Sequence, residues 1–130
     1  MTTQKTGNFA SGSGVRIPDH QWNLPVTYTP DGSRMMTLGE IAEGGIAMLS
    51  QPQMTMEQRA ELVARRIEMQ PEFEIGMIGV GVVGKERAIA EVKAQSQVGR
   101  VLIEIEQRLL NKLMEQIELL QQRKKAPAGQ

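Results

Sequence analysis

Cysteine is absent from the 130 residues, which excludes disulfide bonds and thiolate metal sites. Histidine occurs once, at His20, so a transition-metal centre would need carboxylates gathered from elsewhere, and none is expected. His20, next to Asp19, reads as a solvated side chain. Aromatic residues are scarce: one Trp, one Tyr and two Phe. That is few for a self-sufficient core, and Phe9, Trp22 and Tyr28 all fall within residues 1–36. Net charge is zero, with 15 basic against 15 acidic residues, so no overall field draws the chain to nucleic acid or to an anionic membrane. No apolar run approaches a bilayer span either. The longest, residues 75–84, includes four glycines and is about half of the roughly 20 residues required. The start, MTTQKTGNFASGSG, is polar and carries no apolar signal region. The expectation is a single-domain cytoplasmic protein without a membrane span.

Helix formers dominate residues 85–125, which contain no proline and one glycine, Gly99. This stretch predicts one long helix, about 60 Å from end to end at 1.5 Å per residue. Twelve of the 23 residues from 98 to 120 are large and apolar. On a helical projection they span an arc of roughly 200°, too broad for one neighbour. Val98, Leu102, Ile105, Leu109, Leu113, Ile117 and Leu120 are the expected self-association residues. Val98, Leu109 and Leu120 lie 11 apart, as do Leu102 and Leu113, a spacing that favours a nearly straight or slightly right-handed assembly. Gly99 either flattens the helix enough for close crossing by another or breaks it into two.

Residues 1–36 read as an extended N-terminal arm. The first 14 are polar and rich in glycine and serine, the composition of a mobile segment. Three prolines follow, and each pushes the residue before it into extended geometry. Thr29-Pro30-Asp31-Gly32 is a turn signal. Ile17, Trp22, Leu24 and Tyr28 belong to a loose alternation of apolar side chains that suits a strip lying in a groove. The groove is either the chain's own helices or another protein; as partner-binding residues, these four would clasp the latter.

Residues 37–125 form the expected helical domain, and 126–130 a frayed tail. Thr37 with Glu40 makes a capping box opening a short helix over 37–49, with a break plausible at Gly44-Gly45. A second amphipathic helix covers 55–69, capped by Thr55 and stopped by Pro71. Its outward face takes Glu57, Arg59, Glu61, Arg65, Arg66 and Glu68. Residues 75–84 are a glycine-rich apolar connector whose β-branched residues favour a short strand or loop; a lone strand would pair with another copy or with the arm.

Two motifs bear on ligands. Gly79, Gly81 and Gly84 satisfy G-x-G-x-x-G before a helix, and with Lys85 they give G-x-x-x-x-G-K. Glu86 then stands where a phosphate loop needs a hydroxyl, and no later strand exists to build the parallel sheet that such sites require. Residues 37–69 resemble the outline of a helix-turn-helix, but they carry three basic against five acidic residues, unfavourable for phosphate contact. Glu72 and Glu74 have no nucleophile beside them, so no catalytic role is expected.

The reading is a mainly α protein: an extended arm, two short amphipathic helices, a glycine-rich connector and a long C-terminal assembly helix. The expected role is a non-catalytic structural or accessory subunit without a cofactor. It self-associates as a homo-oligomer and docks on a larger protein through its arm. The alternative is a nucleic-acid-binding regulator using helices 37–69; a weaker one is a nucleotide-binding module at 79–85.

Overall fold

The computed structural model describes residues 17–44 and 47–125, without the side chains of 123–125. The polar start and the tail at 126–130 lie outside the described residues. The chain is mainly helical, with two small antiparallel hairpins.

The segment expected as an arm folds back as the first of these hairpins. A 3₁₀ turn, Asp19–Asn23, leads into β1, Pro25–Tyr28. This strand pairs antiparallel with β2, Met35–Thr37, with a bulge between Pro25 and Thr27. The turn joining them rests on Asp31. Its carboxylate accepts from the Ser33 backbone N–H at 3.0 Å and from the hydroxyls of Thr29 and Ser33 at 2.7 and 2.8 Å. The Ser33 amide, first, and the Thr29 hydroxyl hold this carboxyl down at about 2. Gly32, at φ +76°, takes the left-handed position that a side chain would strain.

Thr37 caps α1, Leu38–Ala42, through the expected capping box: Glu40 N–H donates to the Thr37 hydroxyl at 3.2 Å and Thr37 N–H to the Glu40 carboxylate at 2.8 Å. The helix stops well short of residue 49. Gly44 follows at φ +104°, a conformation no helix continues through. A 3₁₀ turn at Gln51–Gln53 then precedes α2, Met56–Glu68, whose Thr55 cap and Gln58 form a second capping box.

The connector is two strands rather than one. β3, Glu74–Met77, pairs antiparallel with β4, Gly81–Gly84, in the register Ile75↔Val83 and Met77↔Gly81. Gly79 and Gly81, at φ +82° and +100°, let the chain reverse within three residues. The sheet partner is therefore the segment itself, not a second copy or the arm.

The long helix is also divided. Lys85–Ala94 is α3 and Gln97–Lys125 is α4. Gln95 sits in the left-handed region at φ 52°. Ser96 starts the next helix, its hydroxyl accepting from Gly99 N–H at 3.0 Å and donating to the Glu91 carboxylate. The first turn of α4 lies hard against the last turn of α3: a Cβ at Gly99 would sit 2.0 Å from the Glu91 carbonyl oxygen. Gly99 thus does permit a close crossing, and the helix that crosses is α3.

Two apolar clusters result, both built on α4. Its carboxyl half, through Leu110, Leu113 and Ile117, packs on Val26, Tyr28, Met36, Leu38 and Leu62. Its amino half, through Leu102 and Ile103, packs on Val63, Ile67, Val83, Ala88 and Val92. Arg66 joins β1, α2 and α4. It is fully buried, donating to Glu106 at 2.8 Å, to the Pro25 carbonyl at 2.9 Å and to the Gln21 side chain at 2.7 Å. The amphipathic pattern had placed it outward; its three partners make burial affordable.

Candidate assembly surface

Side chains on α4 divide into a covered face and an open one. Leu102, Ile103, Leu110, Leu113 and Ile117 are at most 5% exposed, all against the chain's own elements. On the far side Val101, Ile105 and Leu119 are 41%, 51% and 53% exposed. At 100° per residue these three fall within about 40° of one another, roughly 150° from the centre of the buried face. Val98, Leu109 and Leu120 lie along the border and are half-buried.

The expected seam is therefore only partly free. Leu102, Leu113 and Ile117 are core residues, because α1, α2, α3 and both hairpins together cover more of the helix than two short helices could. Val98, Ile105, Leu109 and Leu120 keep exposed surface. Val101 and Leu119 are fuller members of the open face than any of these but Ile105. Their signal was present: they stand 18 residues apart, about five turns, and so on one line.

The arm residues are placed differently from expectation. Ile17, Leu24 and Tyr28 are 3%, 3% and 4% exposed, packed inside the same chain. Trp22 is half-buried against the same cluster. The apolar strip does lie in a groove, and the groove is the chain's own. The Tyr28 hydroxyl donates to the Gln58 carbonyl at 3.0 Å and to the Glu61 carboxylate at 3.3 Å. Burial, with the Glu61 charge beside it, pushes this phenol up to about 12.

The second hairpin presents another apolar surface. Ile78 at its tip is fully exposed, Val82 is 62% exposed and Val80 37%. Between this hairpin, α3, α4 and the end of α2 lies a cavity of about 350 Å³, with Ile67, Phe73, Ile75, Leu102 and Ile105 in its walls and Glu72 and Glu106 also lining it. Ile105 thus belongs to the open face and to this cavity at once. A wider cavity, about 700 Å³, separates the first hairpin from α2 and α3. Along one wall Glu68 meets Arg65 and Lys93, each at 3.5 Å.

The glycine motif offers no phosphate cradle. Gly79 and Gly81 shape an antiparallel hairpin, whereas both nucleotide folds place their loop after a parallel strand. Lys85 is already engaged, donating to the Gln70 carbonyl at 2.6 Å, and Gly84 serves as the N-cap residue of α3. The helix-turn-helix outline fares no better. α1 has five residues and is followed by coil. Arg66 is buried, Arg59 donates to the Gln51 carbonyl at 3.2 Å, and the exposed face of α2 presents Glu57, Glu61, Arg65 and Glu68. Among the described residues no group of three or more His, Cys, Asp or Glu side chains could hold a metal ion, and no helix is long and apolar enough to cross a membrane.

Compared with protein-family models, curated proteins and solved structures, the chain matches none of them.

Proposed function

We propose that the protein is a non-catalytic structural or accessory subunit that self-associates through the open face of α4. The observation that carries this reading is the line of Val101, Ile105 and Leu119, each 41–53% exposed on a helix whose opposite face is fully buried. A helix that met only its own domain would carry polar side chains along the whole of that face, whereas this one exposes large aliphatic side chains at both ends of it.

Magnitude decides the kind of assembly. Completing the burial of half-exposed aliphatic side chains contributes about 1 kcal/mol each. Set against an association cost of several kcal/mol, three such side chains per copy with half-buried neighbours give a reversible, concentration-dependent assembly rather than an obligate one. Light scattering between about 1 µM and 1 mM should follow a rise from monomer mass. The double substitution Ile105→Glu, Leu119→Glu should hold the mass at monomer with an unchanged far-UV spectrum, since neither side chain is in the core. A wild-type chain that stays monomeric across the range would refute self-association. An undiminished oligomer in the double variant would move it off this face.

A further inference from the structure

Resting on that reading, we propose that the occupant of the open face is a second copy of α4 laid antiparallel, with the two-fold axis passing beside Lys112. The open line runs Val101, Ile105, Arg108, Lys112, Glu115, Leu119, alternating steps of four and three. That alternation is the rhythm of a coiled-coil seam, and every one of the six is exposed. It differs from the 11-residue spacing of Val98, Leu109 and Leu120, which marks only the border with the buried face. A seam of period seven crosses its partner with a left-handed twist.

Charge complementarity fixes the direction. Read backwards, the line keeps its chemistry: apolar Ile105 answers apolar Leu119, and basic Arg108 answers acidic Glu115. Turned about an axis beside Lys112, one copy's Ile105 stands level with the partner's Leu119, and its Arg108 stands one residue, about 1.5 Å, from level with the partner's Glu115. Symmetry makes each contact twice. Val101 falls opposite Gln122, which closes the end of the seam with a polar cap. Only Lys112 meets its like, and its long stem lets the ammonium swing out to water.

A parallel pair would do the opposite. It sets Arg108 on Arg108, Lys112 on Lys112 and Glu115 on Glu115, three successive like-charged layers, and such juxtaposition suppresses an alignment. Within one chain Arg108 already bonds Glu104 at 3.0 Å, but those side chains are 76% and 64% exposed, so the pair is weak and readily exchanged.

The absence of cysteine makes cross-linking a clean test. Ile105 lies seven residues from the axis, so in the antiparallel pair the two copies of position 105 stand about 21 Å apart, far outside disulfide reach. Ile105→Cys protein mixed with Leu119→Cys protein should give the mixed disulfide dimer on mild oxidation, while each variant alone stays unlinked. Ile105→Cys linking to itself would overturn the orientation and leave self-association standing. A wild-type monomer at every concentration would overturn both. A dimer that links in neither way would overturn this seam alone. A charge exchange reads the same geometry without sulfur: Arg108→Glu and Glu115→Arg should each weaken the dimer at least about tenfold, and the two together should restore it. Failure to restore would refute the Arg108–Glu115 layer.

Discussion

Arg66 shows how a side chain's neighbours, not its class, decide where it sits. Its backbone position lies on the helix flank facing both β1 and α4, and there the guanidinium finds one carboxylate, one carbonyl and one amide oxygen in the directions its fork requires. Arg65, one residue earlier, points to solvent and meets Glu68 at 3.5 Å with 60% of its side chain exposed. The two should respond differently to truncation. Arg66→Ala leaves Glu106 and two buried acceptors without their donor and should cost about 3–5 kcal/mol of folding free energy. Arg65→Ala, breaking an exposed pair, should cost less than about 1 kcal/mol. Urea denaturation of both variants measures the contrast; equal losses would mean that the Arg66 network contributes no more than a surface ion pair.

Among the elements, those that declared themselves in the sequence are the ones that local chemistry fixes. Thr37 with Glu40 and Thr55 ahead of an amphipathic run start helices where capping predicts. The turn around Asp31 and Gly32 likewise falls where proline, aspartate and glycine cluster. What local chemistry left open was settled by packing. The alternating residues of 17–28 fit a strand equally well against a foreign groove or against α2 and α4, and only the folded chain selects the second. The break in the long helix was legible only at the wrong residue, Gly99, which lies inside α4. Gln95-Ser96-Gln97 contains neither glycine nor proline, and it takes the Ser96 hydroxyl, bonded to Glu91 and capping Gly99, to make two helices better than one. The open face was half legible: Ile105 belongs to the expected seam, while Val101 and Leu119, though part of the broad apolar arc, do not. Gly99→Ala tests the break. Alanine gains up to about 1 kcal/mol in helix propensity, yet its Cβ would stand 2.0 Å from the Glu91 oxygen and 2.9 Å from the Val92 Cα. Those are backbone atoms and cannot rotate aside, so overpacking of about 1–3 kcal/mol should win. A lowered thermal midpoint is expected; a raised one would mean that α3 and α4 are not held this close.

For the molecule as a whole, α4 is the strut on which both clusters are built, and its two faces answer to different demands. The buried face, closed over by α1 to α3 and both hairpins, holds the charge of Glu106 against the buried guanidinium of Arg66. The open face carries Arg108, Lys112 and Glu115 between its apolar ends, and in the proposed pair these charged layers hold the association weak. Lys112 is the residue at which these demands meet. In the antiparallel pair it is the one layer where like faces like, a polar position that lowers affinity while marking the register. Lys112→Leu should therefore tighten the dimer by about tenfold or more, because an apolar layer replaces two opposed ammonium groups at the axis. It should also weaken the preference for one alignment, since one of the like-charged layers that penalise the parallel pair disappears with it. Sedimentation equilibrium reads the first effect. The second appears as self-linking of Ile105→Cys in the Lys112→Leu background, absent with lysine in place. A variant that bound no more tightly would show that Lys112 lies off the seam, and the two-fold axis would then have to be sought elsewhere along the helix.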